Sequence, residues 1–148
     1  MWQQLRRAAY KTPDLCKHGG KYDGPRIVDE INPTPDEIRA WAYSGAVEPM
    51  EDWDIIIAEP GNLNLLMDLI GDPTCPSRRY LLGSLYCTVG HSDHADSRLI
   101  STATSAEASS DAWVPAWGHR VRRVLDHPSD FKRDEWCGWH SHRVDPEG

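Results

Sequence analysis

The 148-residue sequence lacks the features that mark most membrane proteins and many enzymes. No stretch approaches the roughly 20 consecutive apolar residues that a membrane-spanning helix needs. The opening residues, MWQQLRR, are not followed by the apolar core of a signal peptide, so a cytoplasmic location is expected. The glycines of KHGGKYDGPR lack the strand–loop–helix context of a phosphate-binding loop, and no catalytic motif is recognised. We therefore expect a protein without enzymatic activity and without a cofactor.

The sequence has four cysteines, and no two of them have the Cys-x-x-Cys spacing of a metal or redox motif. The four positions are Cys16, Cys75, Cys87 and Cys137. Because no secretory signal is recognised, free thiols are expected rather than disulfides. Cys87 lies near the apolar face of a predicted helix, which favours a buried, unreactive thiol.

Histidines form two groups that resemble parts of a metal site. His91 and His94 have helical i, i+3 spacing, but they follow Gly90, where a predicted helix stops. Asp93 or Asp96 is better interpreted there as the cap of the next helix. Near the carboxyl end lie Cys137, His140 and His142, to which Cys16 or His18 could add a fourth ligand. A zinc site usually shows a second spaced pair of ligands, so no metal is expected at either place.

Charge is concentrated in one segment. Residues 34–74 carry one basic side chain, Arg39, and nine acidic ones, whereas the whole chain has a net charge of −7. The candidate partner-binding residues lie in EPMEDWDIIIAEP and are Glu48, Glu51, Asp52, Asp54 and Glu59. A surface of one sign attracts an oppositely charged partner and repels nucleic acid. This pattern predicts one basic protein partner, unless the segment is simply a solvated helix face.

Helix signals recur along the chain, whereas strand signals are nearly absent. TPDEIRAWAYSG starts with Thr34 and has Glu37 three residues later, which is the pattern of a capping box, and Gly45 can end the helix. Met50, Trp53, Ile56 and Ile57 then repeat at helical spacing, with Trp53 pointing inward. The β-branched run Ile55–Ile57 leaves a short buried strand open as an alternative.

Four more helices are predicted beyond Pro60. The first is capped by Asn62 and ends at Gly71, and the second starts at Pro76 and ends at Gly90. A weaker helix contains Leu99, Ile100 and Ala103. The last is capped by Asp111. The apolar face of the second helix contains Leu81, Leu82, Leu85, Tyr86 and Val89.

These helices come in pairs, and the pairs are weakly similar to each other. A shift of 39 residues aligns Asp72 with Asp111, Pro76 with Pro115 and Leu82 with Val121; Leu85 and Tyr86 then align with Val124 and Leu125. A period near 40 with two helices per unit is typical of an α-helical solenoid. LLMDLIGDPTCPSRRYLLGSL resembles a HEAT-like repeat at its leucines, its Asp72–Pro73 turn and its two arginines, Arg78 and Arg79. The resemblance covers about residues 62–126 and implies a fold that binds macromolecules.

The sequence as a whole predicts a single all-α domain, a short HEAT-like solenoid of about three helical hairpins. Residues 1–33 form an irregular N-terminal arm, residues 34–126 the hairpins, and residues 127–148 a cap and tail in which Trp136 and Trp139 cover the last hairpin. The predicted function is a non-catalytic protein-binding module, such as an inhibitor or immunity protein that neutralises a basic toxin or nuclease. The alternative is a nucleic-acid-associated protein that uses a basic strip of Arg120, Arg122, Arg123, Lys132 and Arg133.

Overall fold

A computed structural model describes residues 21–93 and 96–132, and within these ranges the protein is all-α, without a strand. Residues 21–33 contain neither helix nor strand. The helices are α1 (Pro35–Ser44), α2 (Trp53–Ile57), α3 (Leu63–Gly71), α4 (Arg78–His91), α5 (Ser97–Glu107) and α6 (Trp113–Asp126). Two short 3-10 turns, Pro60–Asn62 and Pro128–Asp130, follow α2 and α6. The predicted all-α class is confirmed.

Helix α1 begins and ends at the residues that the sequence predicts. The Thr34 hydroxyl accepts a hydrogen bond from the Glu37 amide at 3.2 Å, and the Glu37 carboxylate accepts one from the Thr34 amide at 2.8 Å. This capping box satisfies two amides that the first helical turn leaves without partners. Gly45 ends the helix with a left-handed φ of 71°, a conformation that costs glycine little.

The β-branched run 55–57 forms the helix α2, so the alternative of a short strand is wrong. All five residues of α2 are buried, including Asp54, which is only 6% exposed. Because five helical residues cover more than a full turn, α2 is enclosed on every side. Trp53 is fully buried, as expected, and lies edge-on to Trp41 with 5.6 Å between the ring centroids.

Beyond α1, the prediction of a polar N-cap is confirmed at α5, where the Asp96 side chain accepts the Arg98 amide at 2.8 Å. At α6 the N-cap residue is Ala112, so the predicted cap by Asp111 is one residue out, although the Asp111 side chain accepts the Trp113 amide at 2.8 Å. The predicted cap of α3 by Asn62 is wrong. The Asn62 amide group instead donates to the Ile57 carbonyl at 3.1 Å, so it stabilises the end of α2.

The helices pack as two close pairs with further contacts between them. Helix α3 packs on α4, and α5 packs on α6. Helix α4 also contacts α2 and α6, while α3 contacts α1 and α6. At Gly118 an added Cβ would lie 3.0 Å from the Ala103 carbonyl oxygen, because α5 and α6 approach closely there.

The packed helices share one hydrophobic core. It includes the residues predicted for the apolar face of α4, which are Leu81, Leu82, Leu85, Tyr86 and Val89, all fully buried. The sequence groups Ile100 with the apolar residues Leu99 and Ala103, but Ile100 is 38% exposed. The buried face of α5 consists of Leu99, Ala103 and Ala106.

The 39-residue alignment does not match the helix boundaries. Helix α6 begins at Trp113, which is 35 residues after the start of α4 at Arg78. Pro76 therefore precedes α4, whereas Pro115 is the third residue of α6. Leu82 and Val121 are still both fully buried, because the shift of 39 differs from 35 by close to one helical turn and keeps the same face.

The expectation of four free thiols is wrong for Cys87, which takes part in a disulfide. Cys75, in contrast, is a buried free cysteine. Burial raises the pKa of the Cys75 thiol, which disfavours the reactive thiolate. Its Sγ lies 3.7 Å from the Ala42 carbonyl oxygen.

Several sequence predictions lie outside the described residues. These are the arm up to residue 20, the predicted aromatic cap at Trp136 and Trp139, Arg133, and the candidate ligands Cys16, His18, His94, Cys137, His140 and His142. Within 21–93 and 96–132, no helix has the length and apolar character that crossing a membrane requires.

Candidate binding surface at the acidic corner

The acidic segment does not form one exposed row of carboxylates. Glu51 is exposed, whereas Glu48, Asp52 and Glu59 are half-buried and Asp54 is buried. The reason is that Asp54 lies on α2, which is enclosed by the rest of the core, whereas Glu48, Glu51 and Asp52 lie in the connection between α1 and α2. Asp54 therefore belongs to the interior of the protein.

Glu48 is held in place by an aromatic pair. Its carboxylate accepts a hydrogen bond from the Tyr80 hydroxyl at 2.7 Å, and the Tyr80 ring lies edge-on to Trp41 with 5.3 Å between centroids. The Trp41 indole donates to the Val47 carbonyl at 3.0 Å, which ties the connecting loop to α1. Burial raises the pKa of Tyr80 well above its usual value, and the nearby carboxylates of Asp54 and Glu48 raise it further. Tyr80 therefore stays neutral and remains a donor to Glu48.

Asp52 has an unusual backbone conformation in the loop between α1 and α2. Its φ is 65°, the one positive value outside glycine among the described residues. Aspartate tolerates this left-handed region better than most residues, although at some conformational cost. The Asp52 carbonyl accepts the amides of Ile55 and Ile56, both at 2.9 Å, so this bend starts α2.

A second carboxylate is anchored beside the end of α1. Asp72 accepts hydrogen bonds from the Tyr43 hydroxyl and from the amide and hydroxyl of Thr74, the latter two at 2.8 and 2.7 Å. The Tyr43 hydrogen bond, followed by those of Thr74, lowers the pKa of Asp72, so it is ionised at neutral pH. Tyr43 is itself 42% exposed, and Val47 is 38% exposed.

We use the term acidic corner for Tyr43, Val47, Glu48, Glu51, Asp52, Asp72 and Tyr80. The sequence predicts three of its carboxylates as binding residues, Glu48, Glu51 and Asp52, but neither the two tyrosines nor Val47, and it places Asp72 only in a turn. The contacts Tyr43–Asp72 and Tyr80–Glu48 join residues 29 and 32 positions apart. No local pattern in the chain could have indicated them.

The arginines of the proposed basic strip make contacts within the chain. The Arg120 guanidinium lies over the Tyr86 ring at 5.3 Å, while Arg122 pairs with Glu107 at 3.2 Å. Arg123 pairs with Asp130 at 2.9 Å. Arg120 and Arg123 are three residues apart and lie on neighbouring positions of α6, whereas Arg122 is rotated by about 100° from Arg123 and about 200° from Arg120.

Neither the histidines nor the cysteines of the described residues assemble a metal site. His91 is the last residue of α4, and Asp96 caps α5. No group of three histidine, cysteine or acidic side chains within 21–93 and 96–132 is arranged to hold a metal ion.

A polar cleft that the sequence analysis missed lies between the starts of α3 and α5. It has a volume of about 490 Å³, and its lining includes Asn64, Ser92, Ser97, Arg98, Ser101 and Thr102. Arg98 is directed to Asp96, with 3.1 Å between the charged atoms, and its side chain is 72% exposed. The cleft contains hydroxyl groups and the carboxylate of Asp96, whose pKa is lowered by the Arg98 guanidinium and amide.

Comparison with protein-family models, curated proteins and solved structures found no match for this chain. A function must therefore be argued from the chemistry of the surface itself.

Proposed function

We propose that this chain is a non-catalytic protein-binding module that docks a basic protein partner through the acidic corner. The specific form that we favour is an inhibitor or immunity protein that covers a basic toxin or nuclease. The observation that carries the proposal is a set of preorganised carboxylates beside exposed Tyr43 and Val47.

The negative charge of the segment between Arg39 and Arg78 favours a positively charged partner. No lysine, arginine or histidine occurs between Arg39 and Arg78, and Glu48, Glu51 and Asp52 lie within this interval. Such a region attracts a basic surface over roughly 10 Å at physiological salt and accelerates its association. The same charge opposes the approach of nucleic acid.

The fixed positions of the Glu48 and Asp72 carboxylates favour a binding surface over a merely solvated helix face. Glu48 is already held by Tyr80, and Asp72 is already held by Tyr43. Side chains that are fixed before the encounter lose less entropy when a partner binds. Tyrosine also supplies a large contact area with few rotatable bonds, and it is enriched among the residues that dominate interface energies.

The helical packing supports a short HEAT-like solenoid as the scaffold. Helix α4 contacts both α2 and α6, and α1 contacts α3, as expected when hairpins stack in order. Arg78 at the start of α4 pairs with Asp111 before α6, which joins the second and third hairpins. In this proposal the acidic corner lies where the first two hairpins meet.

The proposal is tested with the full chain as bait in an extract of its source, followed by kinetic measurements with the purified captured protein. The test variant is Glu51→Lys, because Glu51 is the exposed carboxylate of the acidic corner and does not hold Tyr80. We expect a basic partner whose association rate falls about threefold at low salt with this variant and less at high salt. Asp54 is left unchanged because reversing a buried charge would damage the fold.

The matched control is Asp126→Lys, which makes the same change in charge at an exposed position on α6. The control should bind like the wild type. Equal association of the wild type, the test variant and the control with the captured partner would show that the acidic corner is not the docking surface.

A further inference from the structure

The polar cleft between the starts of α3 and α5 has the size of a small-molecule site. Its volume of about 490 Å³ lies within the range of pockets that hold ligands as large as a disaccharide. Asn64 lines it from the first turn of α3, and Ser97 lines it from the first turn of α5. Both helices belong to the packed core, through Leu66 and Ala103 among others, so the two walls are formed before a ligand arrives.

Helix α5 presents two rows of polar side chains to the cleft. Ser97 and Ser101 are four residues apart, and so are Arg98 and Thr102, so each pair lies along one strip of the helix surface. A hydroxyl group donates one hydrogen bond and accepts up to two, and the amide of Asn64 also does both. This lining therefore suits a ligand that carries several groups of the same dual character.

The two charges of the cleft offset each other. The Arg98 guanidinium lies 3.1 Å from the Asp96 carboxylate, which also accepts the Arg98 amide at 2.8 Å. The carboxylate thus occupies the start of α5 and repels an anionic ligand, while the guanidinium repels a cationic one. Since the Arg98 side chain is 72% exposed and carries five N–H groups, it can still donate to a neutral ligand.

Apolar surface completes the cleft. Leu63 and Leu99 are 7% and 1% exposed, so the parts of them that line the cleft lie at its base. Pockets for small molecules are usually lined mostly by apolar and aromatic side chains, whereas polar side chains predominate here. A sugar ring matches this mixture, because its C–H groups can cover the leucines while its hydroxyls reach the polar rows of α5.

We infer that this cleft binds a neutral polyhydroxylated small molecule, such as a mono- or disaccharide or a cyclitol. Ser97, Ser101 and Thr102 exchange hydrogen bonds with its hydroxyls, and the Asp96–Arg98 pair offers an acceptor beside a donor to two neighbouring hydroxyls of one ring. Because each of these bonds replaces one with water, the Kd is about 1 mM. The site shares no residue with the acidic corner and does not rest on the docking function proposed for it.

Nuclear magnetic resonance of the isotope-labelled full chain tests this inference. Glucose, maltose, trehalose and myo-inositol are titrated separately, with glucose phosphate as an anionic counterpart. We expect saturable shifts of the Asn64 amide and of the amides of residues 97–102 with at least one neutral probe, and weaker binding of glucose phosphate than of glucose. Saturable shifts with none of the neutral probes, or tighter binding of glucose phosphate, would overturn the inference.

Variants of α5 locate the site. Ser101→Leu removes a hydroxyl and fills part of the cleft, so the Kd should rise about tenfold, and Thr102→Val, which removes only a hydroxyl, should raise it about threefold. The matched control is Ser105→Leu, at an exposed position one turn further along α5, which should bind like the wild type. Wild-type affinity of both Ser101→Leu and Thr102→Val would place the sugar elsewhere and contradict the assignment. If Ser101→Leu lowers Tm, the isosteric Thr102→Val decides.

Discussion

Arg78 shows how one side chain can join three parts of this molecule. Its Nε donates to the Ile70 carbonyl at 2.6 Å, its guanidinium pairs with Asp111, and it lies over the Trp113 ring at 5.4 Å. The side chains of Arg78 and Asp111 are only 14% and 25% exposed. Only the planar, multidonor guanidinium can satisfy a carbonyl and a carboxylate at once while it stacks on a ring.

Arg78→Ala should therefore lower the free energy of unfolding by about 2–3 kcal/mol, because the change leaves the Asp111 carboxylate and the Ile70 carbonyl without their partner. Urea titration followed by circular dichroism measures this. The matched control is Arg98→Ala, since Arg98 pairs with Asp96 but is 72% exposed. The control should show little change, and equal losses for both variants would mean that Arg78 is no more than a surface charge.

At the scale of the element, α1 is stabilised at both of its ends. It is ten residues long and has a capping box at its start. Short helices are marginal on their own in water, so α1 relies on this cap and on burying Ile38, Trp41 and Ala42. Glu37 also accepts the Val28 amide at 2.8 Å, which joins the preceding segment to the helix.

Thr34→Ala should cost about 1 kcal/mol, the usual loss when an N-cap hydroxyl is removed. Thr34→Ser retains the hydroxyl and should be close to neutral. Hydrogen exchange of the α1 amides measures the local effect, while urea unfolding measures the global one. If the alanine variant matches the serine variant in both measurements, the hydroxyl does not stabilise α1.

For the whole molecule, several carboxylates are stabilised in their charged form. The Thr34 and Val28 amides lower the pKa of Glu37, and the Arg98 guanidinium and amide lower the pKa of Asp96. Burial opposes ionisation of Asp111, but the hydrogen bonds from Arg78 and the Trp113 amide prevail and lower its pKa as well. Each of these groups binds a proton more readily in the unfolded chain than in the folded one.

Stability should therefore be fully present above about pH 5 and should fall as the pH drops below about 4, through the folded pKa values. Urea midpoints measured across this range by circular dichroism test the expectation. Asp111→Asn should be less stable at neutral pH and should lose less on acidification than the wild type. A midpoint that rises steadily as the pH falls would show that relief of the net charge of −7 outweighs these hydrogen bonds.

What the sequence could determine alone follows from local rules. The start of α1 at Thr34, its end at Gly45 and the cap of α5 by Asp96 each depend on residues within three positions of one another. The periodicity of α4 likewise identified Leu82 and Leu85 as core, because every helix must bury its apolar face. These features gave the all-α class before any tertiary contact was known.

Only the tertiary structure decided which polar groups are surface and which are interior. Asp54 and Glu51 look alike in the sequence, yet one is enclosed with α2 and the other reaches solvent. Asn62 had two possible partners, and the position of the Ile57 carbonyl selected one. The acidic corner depends on Tyr80 meeting Glu48 across 32 residues. Such contacts depend on how the helices pack, which local propensity does not specify.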